Sequence, residues 1–105
     1  MTDPGALEIE PRAVAARRDD FEVVDVRAPH ALAGPLGRVP GARAIPLAEL
    51  EARAGELHSP RCLLLVCRSG MRSRRACELL LAHGVGPVAN LTGGMIAWNR
   101  AGLAI

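Results

Sequence analysis

The segment "CLLLVC", Cys62 to Cys67, is apolar at every position. It has no polar alternation, so neither face of a strand built from it belongs in water. Strands covered on both faces are found at the centre of parallel sheets. A parallel sheet needs crossover connections, and the rest of the chain supplies them. "LEIEP" (Leu7 to Pro11) predicts a short strand, followed by a helix from Arg12 to Arg18 with Pro11 in its first turn. "FEVVDV" (Phe21 to Val26) is β-branched and short enough for a second buried strand. "RAPHALAGPLGRVPGA" is punctuated by Pro and Gly and predicts a loop, and "RAIP" (Arg43 to Pro46) a brief strand.

"LAELEARAGEL" has helical composition, with Leu47, Leu50 and Ala54 on one face. After the central strand, "RSRRACELLLAHG" predicts a helix ending at Gly84, "VANL" a further strand, and "GGMIAWNRAG" a short closing helix. Strands alternating with helices predict an α/β fold with a mainly parallel sheet. The 105 residues suffice for one domain, 1–105, and are too few for two.

Composition narrows the function classes. Phe21 and Trp98 are the only aromatic residues, which argues against single-stranded nucleic-acid binding with its stacking platforms. A net charge of +2 is too small to imply a polyanionic partner. No apolar run approaches a membrane span, and "MTDPGALEIEPR" is unlike a signal peptide, so a cytoplasmic location is expected. Three cysteines, an odd number, do not suggest a disulfide framework.

The chemistry concentrates where the central strand ends. Ligands of open parallel sheets bind beyond the carboxyl ends of the strands, and Cys67 falls there. The loop after it, "RSGMR" (Arg68 to Arg72), feeds a helix whose unpaired amides favour an anion. Arg68 and Arg72 add positive charge. A thiol in that setting is expected to have a lowered pKa and a nucleophilic sulfur. The alternative is an inert buried cysteine that happens to end a strand. Gly70 allows the backbone to turn where a Cβ would obstruct.

Four segments, "VVDVRAPH", "GRVPGARAIPLAEL", "VCRSGMRSRRA" and "NLTGGMIAWNRAGL", stand in the order and close to the spacing of the rhodanese family, and the chain resembles a single-domain rhodanese over nearly its whole length. The resemblance implies a rhodanese-like three-layer α/β domain, with a mainly parallel five-stranded sheet flanked by helices. It also implies sulfur transfer through a persulfide on Cys67, with Arg68, Ser69, Gly70, Met71, Arg72 and Ser73 as the active-site loop. Its partners would be a small anionic sulfur donor such as thiosulfate and an acceptor: cyanide, a small thiol or a protein thiol. No cofactor, metal, nucleic acid or membrane is expected. The chain departs from the family pattern at Ala31 and Leu32, in two extra residues before Gly37, and at Arg38.

Other residues have two readings each. Asp25 either orients a group of the site or caps loop amides. Arg27 either binds an anionic substrate or pairs with Asp25. Ser73 caps the helix, donates to the Cys67 sulfur, or both, with capping the expectation. Trp98, Cys62 and Cys77 are expected in the core, the two cysteines too far from Cys67 for a disulfide. The cysteines and His83 lack the close pairing of a zinc site. Two rival functions share the loop: a persulfide carrier that docks on a partner protein, and a small phosphatase or arsenate reductase. Phosphatase loops place five residues between cysteine and arginine; here four separate Cys67 from Arg72. A non-catalytic binding module would not need Cys67.

Overall fold

The fold, a computed structural model, is described for residues 6–105. Five strands form one sheet: β1 (Ala6–Ile9), β2 (Phe21–Asp25), β3 (Arg43–Ala44), β4 (Cys62–Val66) and β5 (Val88–Leu91). Their order across the sheet is β1-β5-β4-β2-β3, and every pairing is parallel. The wholly apolar β4 lies in the middle, as its composition demands. Helices α1 (Pro11–Ala16), α2 (Leu47–Leu50), α3 (Met71–Ala82) and α4 (Gly94–Arg100) connect or follow the strands. Contacts pair α1 with α4 and α2 with α3.

The two-residue period of a strand divides β4 between two core layers. Leu64 and Val66 join Val14, Phe21, Leu91, Met95 and Trp98 on the α1–α4 side. Leu63, Leu65 and Cys67 join Ile45, Leu50, Cys77 and Leu80 on the α2–α3 side. Thus the alternation that buries the leucines also aims Cys67 at the helix that follows it. On β5, Val88 belongs to the α2–α3 layer, so Asn90, two residues on, shares that face.

Several elements depart from expectation. The helix expected over Leu47–Leu57 stops at Leu50 and continues as turns and a 3-10 turn at Ala54–Glu56. Leu50 and Ala54 are buried as the pattern requires, so the apolar spacing is satisfied without a continuous helix. Helix α1 likewise ends at Ala16, and a 3-10 turn at Arg18–Asp20 leads into β2. The Pro- and Gly-rich loop contains another 3-10 turn, Pro29–Ala33, with Leu32 packed inward. Trp98 is core, its indole N–H donating to the Ala104 carbonyl at 2.9 Å. Among the described residues no helix is long and apolar enough to cross a membrane.

Candidate active site

Cys67 follows the last residue of β4, and its side chain is 1% exposed. Three residues later the chain reverses at Gly70, with φ +96°. A Cβ there would lie 3.1 Å from the Gly93 amide nitrogen and 3.3 Å from the Leu91 carbonyl, so both conformation and space call for glycine. The reversal turns the amides inward. Gly70 N–H donates to Cys67 Sγ at 3.1 Å, and the amides of Ser69 and Ser73 also reach the sulfur.

The loop's outer carbonyls are tied down elsewhere. Cys67 C=O accepts from Met95 N–H at 2.9 Å and Arg68 C=O from Ile96 N–H at 3.1 Å. Gly94 permits this approach, because a Cβ on it would sit 2.5 Å from the Cys67 carbonyl oxygen. The Gly93-Gly94 pair thus seats α4 on the loop.

Ser73 is not the helix cap. Gly70 occupies that position in α3, and no side chain caps the helix. Ser73, fully buried, places its hydroxyl 3.3 Å from Cys67 Sγ. In effect the sulfur takes the capping role, accepting amides that begin the helix. Burial pushes the Cys67 thiol up, but the Ser73 hydroxyl and the amides of Ser73, Gly70 and Ser69 outweigh it and hold the pKa below the ordinary thiol value. The guanidinium groups of Arg68 and Arg72 are not among the leading causes: hydrogen bonds, not charges, account for the lowering. Cys62, without such donors, shows burial alone, and its thiol is pushed up.

A cavity of about 370 Å³ adjoins the loop, lined by residues including Arg27, His30, Ala31, Leu36, Arg68 and Arg72. Arg68 and Arg72 are exposed, and neither side chain is paired among the described residues. Arg27 is different. Its guanidinium donates to Asp25 at 2.7 Å and to the Gly37 carbonyl at 2.7 Å, with Asp25 0% and Arg27 4% exposed. Both residues therefore serve the loop that borders the cavity: Asp25 also accepts the Arg27 backbone amide, and Arg27 also reaches the Ala31 carbonyl.

The profile of the Rhodanese-like domain family matches residues 10–101. The chain belongs to this family. Among its relatives, a sulfurtransferase of Allochromatium vinosum is 40% identical over 101 residues, covering 93% of this chain and 92% of that protein. A thiosulfate sulfurtransferase, GlpE, of Pseudoalteromonas translucida is 29% identical over 84 residues, covering 80% of this chain and 78% of its own. A rhodanese-related protein from Thermoplasma volcanium superposes with a TM-score of 0.86 at 26% identity, over 93% of this chain and 95% of that one. Membership and these relatives support sulfur transfer as the general chemistry.

Three further residues of this rhodanese-like domain stand at the site without a role assigned from the sequence. His30 lines the cavity although nothing in the sequence links it to Cys67. Asn90, 2% exposed, stands behind Ser73, and Glu8 of β1 stands behind Asn90. The signal for Asn90 was a single polar residue within "VANL", a strand otherwise apolar.

Proposed function

We propose that the chain is a rhodanese-type sulfurtransferase that carries a sulfane sulfur as a persulfide on Cys67. The observation that carries this reading is a buried sulfur held by converging amides beside a cavity lined by unpaired arginines. Cys67 thiolate attacks the outer sulfur of thiosulfate, or of a similar small anionic donor. The donor's S–S bond breaks and sulfite leaves with the bonding electron pair. Charge now resides on the outer sulfur of the Cys67 persulfide, where amides of the Arg68–Arg72 loop can meet it. Arg68 and Arg72 attract the donor and screen the departing anion. Cyanide or a thiolate then attacks the outer sulfur, and the electron pair of the breaking bond returns to Cys67. This is two-step covalent exchange. No proton moves in either step once the thiol is ionised, so the site needs no general base, metal or cofactor. Asp25 and Arg27 act only by shaping the loop. A cytoplasmic location, where small thiols are plentiful, suits the acceptor chemistry.

Intact-mass spectrometry after mixing with thiosulfate tests the reading. The protein is expected to gain one sulfur atom, removable by dithiothreitol and absent in Cys67→Ser. An adduct that persists in Cys67→Ser overturns the assignment. Steady-state turnover with thiosulfate and cyanide separates an enzyme from a persulfide carrier, which would load but turn over slowly. Cys67-dependent hydrolysis of aryl phosphates faster than sulfur transfer would favour the phosphatase reading.

A further inference from the structure

Ser73 has one hydroxyl hydrogen and two acceptors. Cys67 Sγ lies 3.3 Å from its oxygen, and Asn90 Oδ1 lies within hydrogen-bond distance on another side. Which acceptor holds the hydrogen depends on how the Asn90 amide is oriented. That orientation is fixed by its surroundings. Asn90 Nδ2 faces three acceptor atoms: the Gly70 carbonyl at 2.9 Å and the two Glu8 carboxylate oxygens at 3.1 and 3.2 Å. Reversing the amide would set its oxygen against all three. Nδ2 therefore stays where it is, and Oδ1 must face Ser73. Register explains the alignment: Glu8 pairs with Asn90 across β1 and β5, and Asn90 with Leu65 across β5 and β4, all on the face that carries Cys67.

Asn90 Oδ1 can only accept, so its contact with Ser73 Oγ is a hydrogen bond only if Ser73 donates. The Ser73 lone pairs then face Cys67. A protonated Cys67 fits this arrangement, since S–H donates to Ser73 and O–H to Asn90 in one direction. A thiolate must compete for that hydrogen. Either Ser73 abandons Asn90, leaving two oxygens in contact with no hydrogen between them, or the thiolate faces an oxygen lone pair.

Resting on the sulfur-transfer reading above, we propose that Asn90 is a positioning residue that competes with the free Cys67 thiolate for the Ser73 hydroxyl hydrogen, and that loading with sulfur relieves the competition. In the persulfide the charge has moved one atom outward, to the amides of the loop. Sγ then no longer needs the Ser73 hydrogen, which returns to Asn90. The unloaded thiolate thus holds the Ser73 hydrogen only against Asn90, and loading is favoured because it releases that hydrogen to Asn90. Glu8, exposed on an edge strand, holds the Asn90 amide in the required sense.

Other charged groups near Cys67 leave this balance to Asn90. Arg68 and Arg72 lie on its own loop and on α3, and His30 lies across the cavity. Asp25 and Arg27 at the exit of β2 neutralise each other. Arg74 of α3 and Glu8 of β1 line a second cavity on the far side of the loop. The first residues of α4 carry no charge.

The test is the pH midpoint of Cys67 alkylation by iodoacetamide, read at the Cys67 peptide. Asn90→Ala frees the Ser73 hydrogen for the thiolate, so the midpoint is expected to fall by about one pH unit, the worth of a hydrogen bond to a charge. In a Ser73→Ala background the same substitution is expected to produce no fall. A midpoint that is unchanged or raised by Asn90→Ala, or that falls equally without Ser73, overturns the proposal. Should Asn90→Ala not fold, Ser73→Ala alone decides. Because Asn90 competes for the hydrogen, losing Ser73 is expected to raise the midpoint by less than half of that unit. A larger rise would show that Ser73 serves the thiolate unopposed and overturn the proposal. Sulfur loading from thiosulfate is measured separately on the same variants, and the loaded fraction is expected to drop in Asn90→Ala. A wild type that takes up no sulfur would overturn the sulfur-transfer reading, while the alkylation midpoints would still decide the role of Asn90.

Discussion

Strands β2 and β4 are neighbours, and each delivers a buried group at its end. Asp25 lies opposite Val66, one residue before Cys67. The two exits treat their groups in different ways. Asp25 is met by a full charge: Arg27 binds both its oxygens and then spends its remaining donors on carbonyls of the 28–37 loop. Cys67 is met by dipoles, namely amides of the turn that follows and a hydroxyl with another partner. An anion neutralised by a buried cation is locked, because separating the pair leaves a charge without water. An anion held by dipoles can pass its charge to an atom bonded to it while the dipoles stay in place. The first arrangement builds a wall of the cavity; the second leaves a sulfur able to react.

The largest expected effect tests the reactive exit. Cys67→Ser is expected to bring thiosulfate:cyanide turnover to background while thermal melting stays close to wild type. Retained turnover would move the chemistry to another thiol. Next comes the locked exit. Arg27→Ala strands the Asp25 carboxylate in the core and is expected to cost roughly 3–5 kcal/mol in urea unfolding. A loss under about 1 kcal/mol, the range of exposed pairs, would show that water reaches the pair.

Arg68→Ala and Arg72→Ala should separate the two kinds of arginine. Neither guanidinium is paired among the described residues, so stability is expected to move by less than about 0.5 kcal/mol. The KM for thiosulfate is expected to rise several-fold and to lose part of its salt dependence, measured by steady-state kinetics across ionic strengths. The smallest effect is on stability against pH. The Cys67 pKa is lowered in the folded state, so ionisation favours folding. That contribution is complete above the ordinary thiol value and is lost as pH falls through the lowered folded value. The stability difference between wild type and Cys67→Ala should therefore grow in favour of wild type as pH rises across that window. A flat difference in urea unfolding would count against the lowered value.

Much of this was legible in the chain because the decisive patterns are local. An all-apolar strand belongs at the centre of a parallel sheet, and the Gly and Arg residues of "CRSGMR" at its exit favour a turn that brings amides and positive charge to the sulfur. The five-strand count and the order of motifs followed from resemblance. What escaped reading depends on partners distant in sequence. Ser73 looked like a cap because Ser near a helix start usually is one, but Gly70 leaves the sulfur to take that role. Arg27 fitted substrate and structure equally until the fold brought the Gly37 carbonyl to it. Asn90 and Glu8 stand 23 and 59 positions from Cys67, and only the register of β1, β5 and β4 puts them on one face. The helix expected across Leu47–Leu57 failed for another reason: its apolar spacing is met equally by a short helix and a 3-10 turn.

The loop after Cys67 is fastened by pieces that leave the ribosome later than the loop itself. Its carbonyls are held by Met95 and Ile96 of α4, and Gly70 is held by Asn90. A chain still being translated at Val85 already contains Cys67 and the whole of α3, yet has neither clamp. Until α4 docks, neither clamp holds the turn, and the cysteine is expected to behave as an ordinary thiol. The lowered pKa of Cys67 thus belongs to a chain in which α4 has been made and docked. A chain truncated after Val85 is expected to alkylate like a free cysteine peptide, and a lowered midpoint in that fragment would show that the turn assembles without its clamps.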